Sequence, residues 1–149
     1  MMYEMGKAMP EGCTLLKGTS FVDERGVLTF VEGRVLPFAV KRIFWISSVP
    51  KGKKRGGHAH RTCSEVVFAA TGSFCIHLSD GIKHTTIRIS SPGDGVVVPA
   101  GVWCDLDEFS ADCVCVVAAS QAYDPQGYIN SYEAYLEYRK ENHYESPAL

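Results

Sequence analysis

From Phe21 onward the chain alternates short apolar runs with turn signals: Asp23-Glu-Arg-Gly26, Glu32-Gly33, Pro37, Thr71-Gly72, Asp80-Gly81, Ser91-Pro-Gly-Asp-Gly95 and Pro99-Ala-Gly101. Turns every roughly eight to twelve residues are the rhythm of an antiparallel sandwich or barrel. Within the runs the period is two. Phe74, Ile76 and Leu78 alternate with Cys75, His77 and Ser79, and Ile87 and Ile89 with Thr86 and Arg88, which assigns each strand one core face. Asp80-Gly81 reads as a tight primed turn joining two of these strands. The more continuously apolar segments Val40 to Val49 and Val114 to Ala119 are expected to be central strands, or to lie at a subunit contact. Near the end the period changes. Tyr132, Tyr135, Leu136 and Tyr138 have helical spacing, with Asn130 as the expected N-cap and Glu133 completing a capping box. The pattern predicts an all-β domain over 21–149 carrying one C-terminal α-helix. Residues 1–20 form an N-terminal extension, read as partly disordered or an edge strand.

A chain of 149 residues buries a core without disulfide staples. The net charge of −2 gives no basic field for nucleic acid. The one basic cluster, Lys51, Lys53, Lys54 and Arg55, is short, and its lysines read as a solvated loop. The longest apolar run, Cys113 to Ala119, is too short to span a bilayer, and the N-terminus has no signal-peptide core. The expected location is cytoplasmic, where the six cysteines are free thiols.

The candidate chemistry lies between Arg55 and Gly72. His58 and His60 are two apart, so on a strand both imidazoles leave the same face. Glu65 opens the apolar run Val66 to Ala70. Two imidazoles and a carboxylate either hold a divalent metal or move protons. A second stretch, Gly93 to Cys104, uses a glycine turn, a β-branched strand and a Pro-x-Gly turn to deliver residue 104 to the next strand. Elsewhere His77 has no partner visible in the sequence, His84 and His143 sit in polar surroundings, and the tyrosines 123, 128, 132, 135 and 138 read as packing or a subunit contact.

Together the two stretches resemble the cupin superfamily of jelly-roll barrels. His58, His60, Glu65 and Gly72 match its first motif, and Gly93, Pro99 and Gly101 its second, while Cys104 stands where a third metal-binding histidine is usual. Two site readings follow: a metal held by His58, His60, Glu65 and Cys104, or proton transfer by the imidazoles without metal. From Phe21 to about Tyr138 the sequence is similar to the sugar 3,4-ketoisomerases that act on dTDP-4-keto-6-deoxyglucose in deoxyamino-sugar synthesis for bacterial glycans. The matching residues include Asp23-x-Arg25-Gly26, Lys41-Arg42, Arg55-Gly56-x-His58-Ala59-His60, Trp103, and Tyr123-Asp124 with Tyr128-Ile129.

This resemblance implies a homodimer that binds a dTDP-linked keto sugar and needs no cofactor or metal. It implies His60 as the base at C3 and His58 as its partner on the C4 side, or the two in reversed order. Arg42, Arg55, Arg25, Trp103, Cys104 and Glu65 are the implied substrate-contacting residues, with Arg42 and Arg55 directed at the diphosphate or the oxyanion. The alternatives are a metal-dependent, dioxygenase-like cupin and a non-catalytic nucleotide-sugar-binding cupin. Arg25 resembles the residue that accompanies a galacto-configured product, whereas Cys104 matches neither histidine nor arginine. Pro125, Gly127 and Asn130 also depart from the family.

Overall fold

The structure is a computed structural model and describes residues 2–3 and 8–142; His143 lies outside them. Eleven strands build two facing antiparallel sheets. One has the order β1-β9-β8-β11-β6-β13, with β1 at Met2–Tyr3, β6 at Arg55–His60, β8 at Phe74–Ser79, β9 at His84–Ile89, β11 at Trp103–Asp107 and β13 at Tyr128–Ile129. The other has the order β2-β10-β7-β12-β5, with β2 at Thr14–Lys17, β5 at Arg42–Ser47, β7 at Glu65–Thr71, β10 at Asp94–Val98 and β12 at Val114–Ala119. Strands β3 (Thr19–Asp23) and β4 (Gly26–Phe30) form a separate hairpin, and helix α1 spans Tyr132–Glu141. The fold is the all-β cupin barrel with a C-terminal helix that the periodicity and motifs implied.

The period-two pattern becomes the core. Val67, Phe74, Ile76, Leu78, Ile87, Ile89, Val96, Val98, Leu106 and Val117 meet between the sheets, each contributing about 1.5–3 kcal/mol when fully buried. On the outer face of the second sheet Leu16, Val66, Phe68 and Val97 are covered by Val31, Leu36 and Phe38. Strand β12 is central, between β7 and β5. The expectation for Val40 to Val49 requires correction: β5 is an edge strand whose inner residues alternate with exposed Ile43 and Trp45. Aliphatic content hides this alternation in the sequence.

Two local expectations are also corrected. Asp80-Gly81 is not a two-residue turn, because Ser79 pairs with His84 and a four-residue loop joins β8 to β9. The Asp80 carboxylate accepts from the backbone N–H of Ile82 and Lys83 at 2.9 and 2.7 Å, an Asx-type closure that the dipeptide alone does not reveal. Helix α1 is capped by Ser131, whose hydroxyl accepts from Ala134 N–H at 3.0 Å, one residue later than Asn130.

The helix fixes the turn before β11. Tyr135 is fully buried, and its hydroxyl lies 2.6 Å from the Gly101 carbonyl and 3.1 Å from that of Ser79. Gly101 N–H in turn donates to the His60 carbonyl at 2.7 Å. The end of β6 is thereby tied to the Pro-x-Gly turn, and the turn to the helix.

Strand β6 contains the irregularity that shapes the site. Cys104 pairs with His58 but Asp105 pairs with Gly56, so Gly57 is an extra residue, a β-bulge. Gly56 and Gly57 both adopt φ of 76°, a region costly for other residues. A Cβ on Gly56 would lie 2.8 Å from the Cys104 carbonyl oxygen, whereas one on Gly52, also at positive φ, would meet nothing within 4 Å. Gly52→Ala is therefore expected to cost about 1–2 kcal/mol from backbone strain alone, and Gly56→Ala more because the backbone of β11 must also move. Urea unfolding of the two variants checks this; equal losses would show that the bulge tolerates a side chain.

Candidate functional site

The extra residue at Gly57 sets the direction of three side chains. On an unbulged strand Arg55 and His58, three apart, would face opposite sides. With the bulge, Arg55 pairs with Leu106 and His58 with Cys104. Leu106 and Cys104 are two apart and both inward, so Arg55, His58 and His60 share the inner wall. The block Arg-Gly-Gly-His-Ala-His is thus a single device for aiming one guanidinium and two imidazoles into the barrel.

They line one end of the barrel interior, where a cavity of about 370 Å³ is bordered by Arg42, Phe44 and Ile46 of β5, Arg55 and His58 of β6, Glu65 and Val67 of β7, and Cys104 of β11. This volume lies within the range of small-ligand sites. The His58 and His60 rings are 4.9 Å apart and nearly perpendicular. His60 is buried, and its Nε2 lies 3.3 Å from Glu65 Oε2, also buried. The two atoms are close enough to attract, yet they are not aligned as a hydrogen bond, and neither has another hydrogen-bond partner among the described residues. Buried polar atoms left in this way are costly, and here Glu65 borders the cavity with His60 directly behind it.

Burial is the largest influence on His58 and lowers its pKa from the ordinary imidazole value, with the neighbouring His60 acting in the same direction; Glu65 and Asp105 oppose it. His58 is therefore neutral at neutral pH and able to accept a proton. Burial first, then the charges of Glu65 and Asp105, raises the Cys104 thiol well above its usual range. It stays a neutral thiol. The donor atoms of His58, His60 and Glu65 lie within 4.8 Å of one another, a set able to hold a divalent ion, but Cys104 is outside that group.

Arg42 faces inward on β5. Its Nη1 donates to the Tyr128 hydroxyl at 3.4 Å, and its guanidinium lies over the Phe44 and Tyr123 rings. Arg55 is exposed at the cavity border. Two implied contacts are placed elsewhere. Trp103 faces the opposite side of β11 from Cys104, as strand alternation dictates, and packs against Tyr132 and Tyr135 of α1 with its Nε1 donating to Asp105 Oδ2 at 2.8 Å. Arg25 sits at the turn of the β3–β4 hairpin, exposed, with its guanidinium on Asp23, and does not line this cavity.

Several cavity residues escaped sequence reasoning. Tyr123, Pro125, Tyr128 and Asn130 close the cavity border, so with Cys104 three of the four positions that depart from the family lie at the site itself. Tyr128 pairs with His60 across β13 and β6, and its ring is 4.9 Å from that of His58 and 4.5 Å from that of His60. The tyrosine stripe is therefore divided: Tyr132, Tyr135 and Tyr138 pack on the helix side, and Tyr123 and Tyr128 face the cavity. The Tyr-x-x-x-x-Tyr-Ile spacing ahead of the helix was the available signal. His77 also gains partners, with Nε2 at 2.6 Å from Asp107 Oδ1 and Nδ1 at 2.8 Å from Thr86 Oγ1. These residues come from β9 and β11, beyond the reach of local sequence.

Residues 11–140 match the family described as FdtA: WxcM-like, C-terminal. A TDP-4-oxo-6-deoxy-α-D-glucose-3,4-oxoisomerase from Aneurinibacillus thermoaerophilus is 36% identical over 118 residues, covering 78% of this chain and 85% of that protein. The crystal structure of QdtA, a sugar 3,4-ketoisomerase from Thermoanaerobacterium thermosaccharolyticum in complex with TDP, superposes with a TM-score of 0.83 at 32% identity, covering 87% of this chain and 96% of that one. WlaRA, a TDP-fucose-3,4-ketoisomerase from Campylobacter jejuni, superposes with a TM-score of 0.79 at 28% identity, covering 85% and 95%. With nearly the whole barrel matched in sequence and in backbone, this chain belongs to the FdtA, WxcM-like C-terminal family.

Proposed function

We propose that this protein is a 3,4-ketoisomerase of a TDP-linked 4-keto-6-deoxyhexose, serving deoxyamino-sugar synthesis. The observation that carries this reading is the pair of imidazoles 4.9 Å apart, beside a buried carboxylate in a ligand-sized cavity. Moving a carbonyl from C4 to C3 removes a proton from C3, passes through an enediolate and delivers a proton to C4. Histidine suits both steps because its charge changes near neutral pH.

His60, beside Glu65, takes the C3 proton, and His58, neutral through burial, works on the C4 side. Arg42, half-buried on the cavity lining with its guanidinium donating to the Tyr128 hydroxyl, is suited to the developing oxyanion. Arg55, exposed at the border, is suited to the diphosphate. Cys104, as a small neutral wall, leaves room beside C4 that a larger side chain would fill, and so bears on product configuration. The metal-ligand geometry of His58, His60 and Glu65 is equally a proton-transfer geometry, and the isomerase activity of the relatives favours the latter.

The exposed apolar side chains of the hairpin, Phe21, Val22, Val27 and Leu28, and of the β5 edge, Ile43 and Trp45, support a homodimer. None of the helices among the described residues is long and apolar enough to cross a membrane, and six buried, unpaired cysteines fit a reducing, cytoplasmic setting.

Incubation with TDP-4-keto-6-deoxyglucose in deuterated water, followed by proton NMR, is expected to yield a 3-keto sugar carrying deuterium at C4, and His60→Asn to reduce the rate by at least about 10²-fold with circular dichroism unchanged. A wild-type protein giving neither conversion nor exchange would reduce the reading to nucleotide-sugar binding. Because the folded-state pKa of His58 lies below its ordinary value of 6.5, the unfolded chain gains a proton first as pH falls through that value. Stability is then lost toward acid pH and retained above it. His58→Gln should have a flatter stability profile below about pH 6.5 in denaturant titrations; an equal slope would place the shift elsewhere. Sedimentation equilibrium is expected to give twice the mass of one chain, and a monomer at micromolar concentration would rule the dimer out.

A further inference from the structure

Trp103 has no place on the cavity wall, yet it is not idle on the outer face of β11. Its indole packs against Tyr132 and Tyr135 of α1, and its Nε1–H donates to Asp105 Oδ2 at 2.8 Å. Trp103 and Asp105 are two apart on one strand and so leave the same face. The other carboxylate oxygen of Asp105 lies over the bulge: Oδ1 is 3.5 Å from where a Cβ on Gly57 would stand. Gly57 is the residue of β6 with no opposite number on β11, and an unpaired residue at positive φ gains no support from the ladder itself. The support available to it comes from the Asp105 carboxylate.

On the inner side, the bulge holds the His58 ring, which is hydrogen-bonded to the Gly56 backbone carbonyl across the extra residue. That bond decides which ring nitrogen carries the proton and leaves the other as an acceptor. Arg55 lies before the bulge and takes its register from Leu106, so its aim does not depend on how Gly57 is held. We propose that Trp103 and Asp105 are positioning residues, which brace the bulge from the outer face and thereby fix the orientation and tautomer of the His58 ring inside the barrel. The brace is anchored in the helix, because the hydroxyl of Tyr135, against which the indole packs, donates to the Gly101 and Ser79 carbonyls. Side chains that touch no substrate thus set the geometry of one that does, and displacements well below a bond length matter at such a site. The effect on rate rests on the ketoisomerase reading; the effect on the ring does not.

The test compares Asp105→Ala, Asp105→Asn, Trp103→Phe and the double variant Trp103→Phe with Asp105→Ala. Conversion to the 3-keto sugar is followed by proton NMR, TDP affinity by calorimetry, and the His58 ring by long-range proton–nitrogen correlation NMR on substrate-free protein. In Asp105→Ala the single tautomer of the wild-type ring is expected to give way to a mixture, with conversion slowed about tenfold or more and TDP affinity within about threefold of wild type. Asp105→Asn, which still presents an oxygen to the indole N–H, should recover most of the rate and the wild-type ring spectrum. Trp103→Phe should reproduce Asp105→Ala, and the double variant should be no more than about threefold slower than the slower single one, because the two side chains act as a unit. Should Trp103→Phe fail to fold, the two Asp105 variants decide alone. Conversion in Asp105→Ala within about threefold of wild type, or slowed conversion with an unchanged ring spectrum, would overturn the proposal. So would losses that multiply in the double variant, which mark two independent packing effects. A wild-type protein without conversion would overturn the ketoisomerase reading instead, and the ring spectrum, which needs no substrate, would still decide whether the brace exists.

Discussion

Arg55, His58 and His60 share one wall of the barrel only because β6 carries one more residue than its partner β11 opposite Gly57. A regular strand would send Arg55 outward, since odd separations change face. Two consecutive glycines at positive φ make the bulge affordable, and the near contact of Gly56 with the Cys104 carbonyl leaves no room for a side chain. The rest of the molecule holds this irregular strand from both sides. Strand β11 supplies Cys104 opposite His58, β13 supplies Tyr128 opposite His60, and the Gly101 N–H fixes the His60 carbonyl.

The electrostatic character of the site follows from where that strand lies. Burial keeps His58 neutral and Cys104 a thiol, and it leaves His60 Nε2 and Glu65 Oε2 adjacent without an aligned hydrogen bond. Desolvated groups of this kind cost stability, and such arrangements concentrate where proton transfer is needed. The apolar neighbours Phe44, Ile46, Val67 and Leu106 keep the local dielectric low, which strengthens the effect of each cation on the border. Chemistry and folding thus make opposite demands on the same few residues, and the large core between the sheets offsets the difference.

The sequence was informative where its signals were local. The period of two located the strands, the change to helical spacing located α1, and the His-x-His and Pro-x-Gly spacings located the ends of β6 and β11. It was poor where the partner came from far along the chain. His77 seemed isolated because Thr86 and Asp107 approach it from neighbouring strands. The loop at Asp80 is closed by backbone N–H groups donating to its own carboxylate, and the helix cap falls on Ser131, which accepts from Ala134 N–H, while Asn130 borders the cavity.

By itself the sequence determined the all-β class, the C-terminal helix, the inward pair His58 and His60, and the kinship that Arg55 to His60 expresses, because strand alternation and motif spacing are properties of neighbouring residues. Tertiary structure decided which other groups join them. It turned Arg42 inward and Trp103 away, separated Tyr128 from the packing tyrosines, left Cys104 outside the group His58, His60 and Glu65, and set Arg25 on a hairpin that does not line the cavity of its own chain. The physical reason is register: a side chain's face depends on bulges and cross-strand pairing, which hydrogen bonds between distant segments fix and no local pattern records.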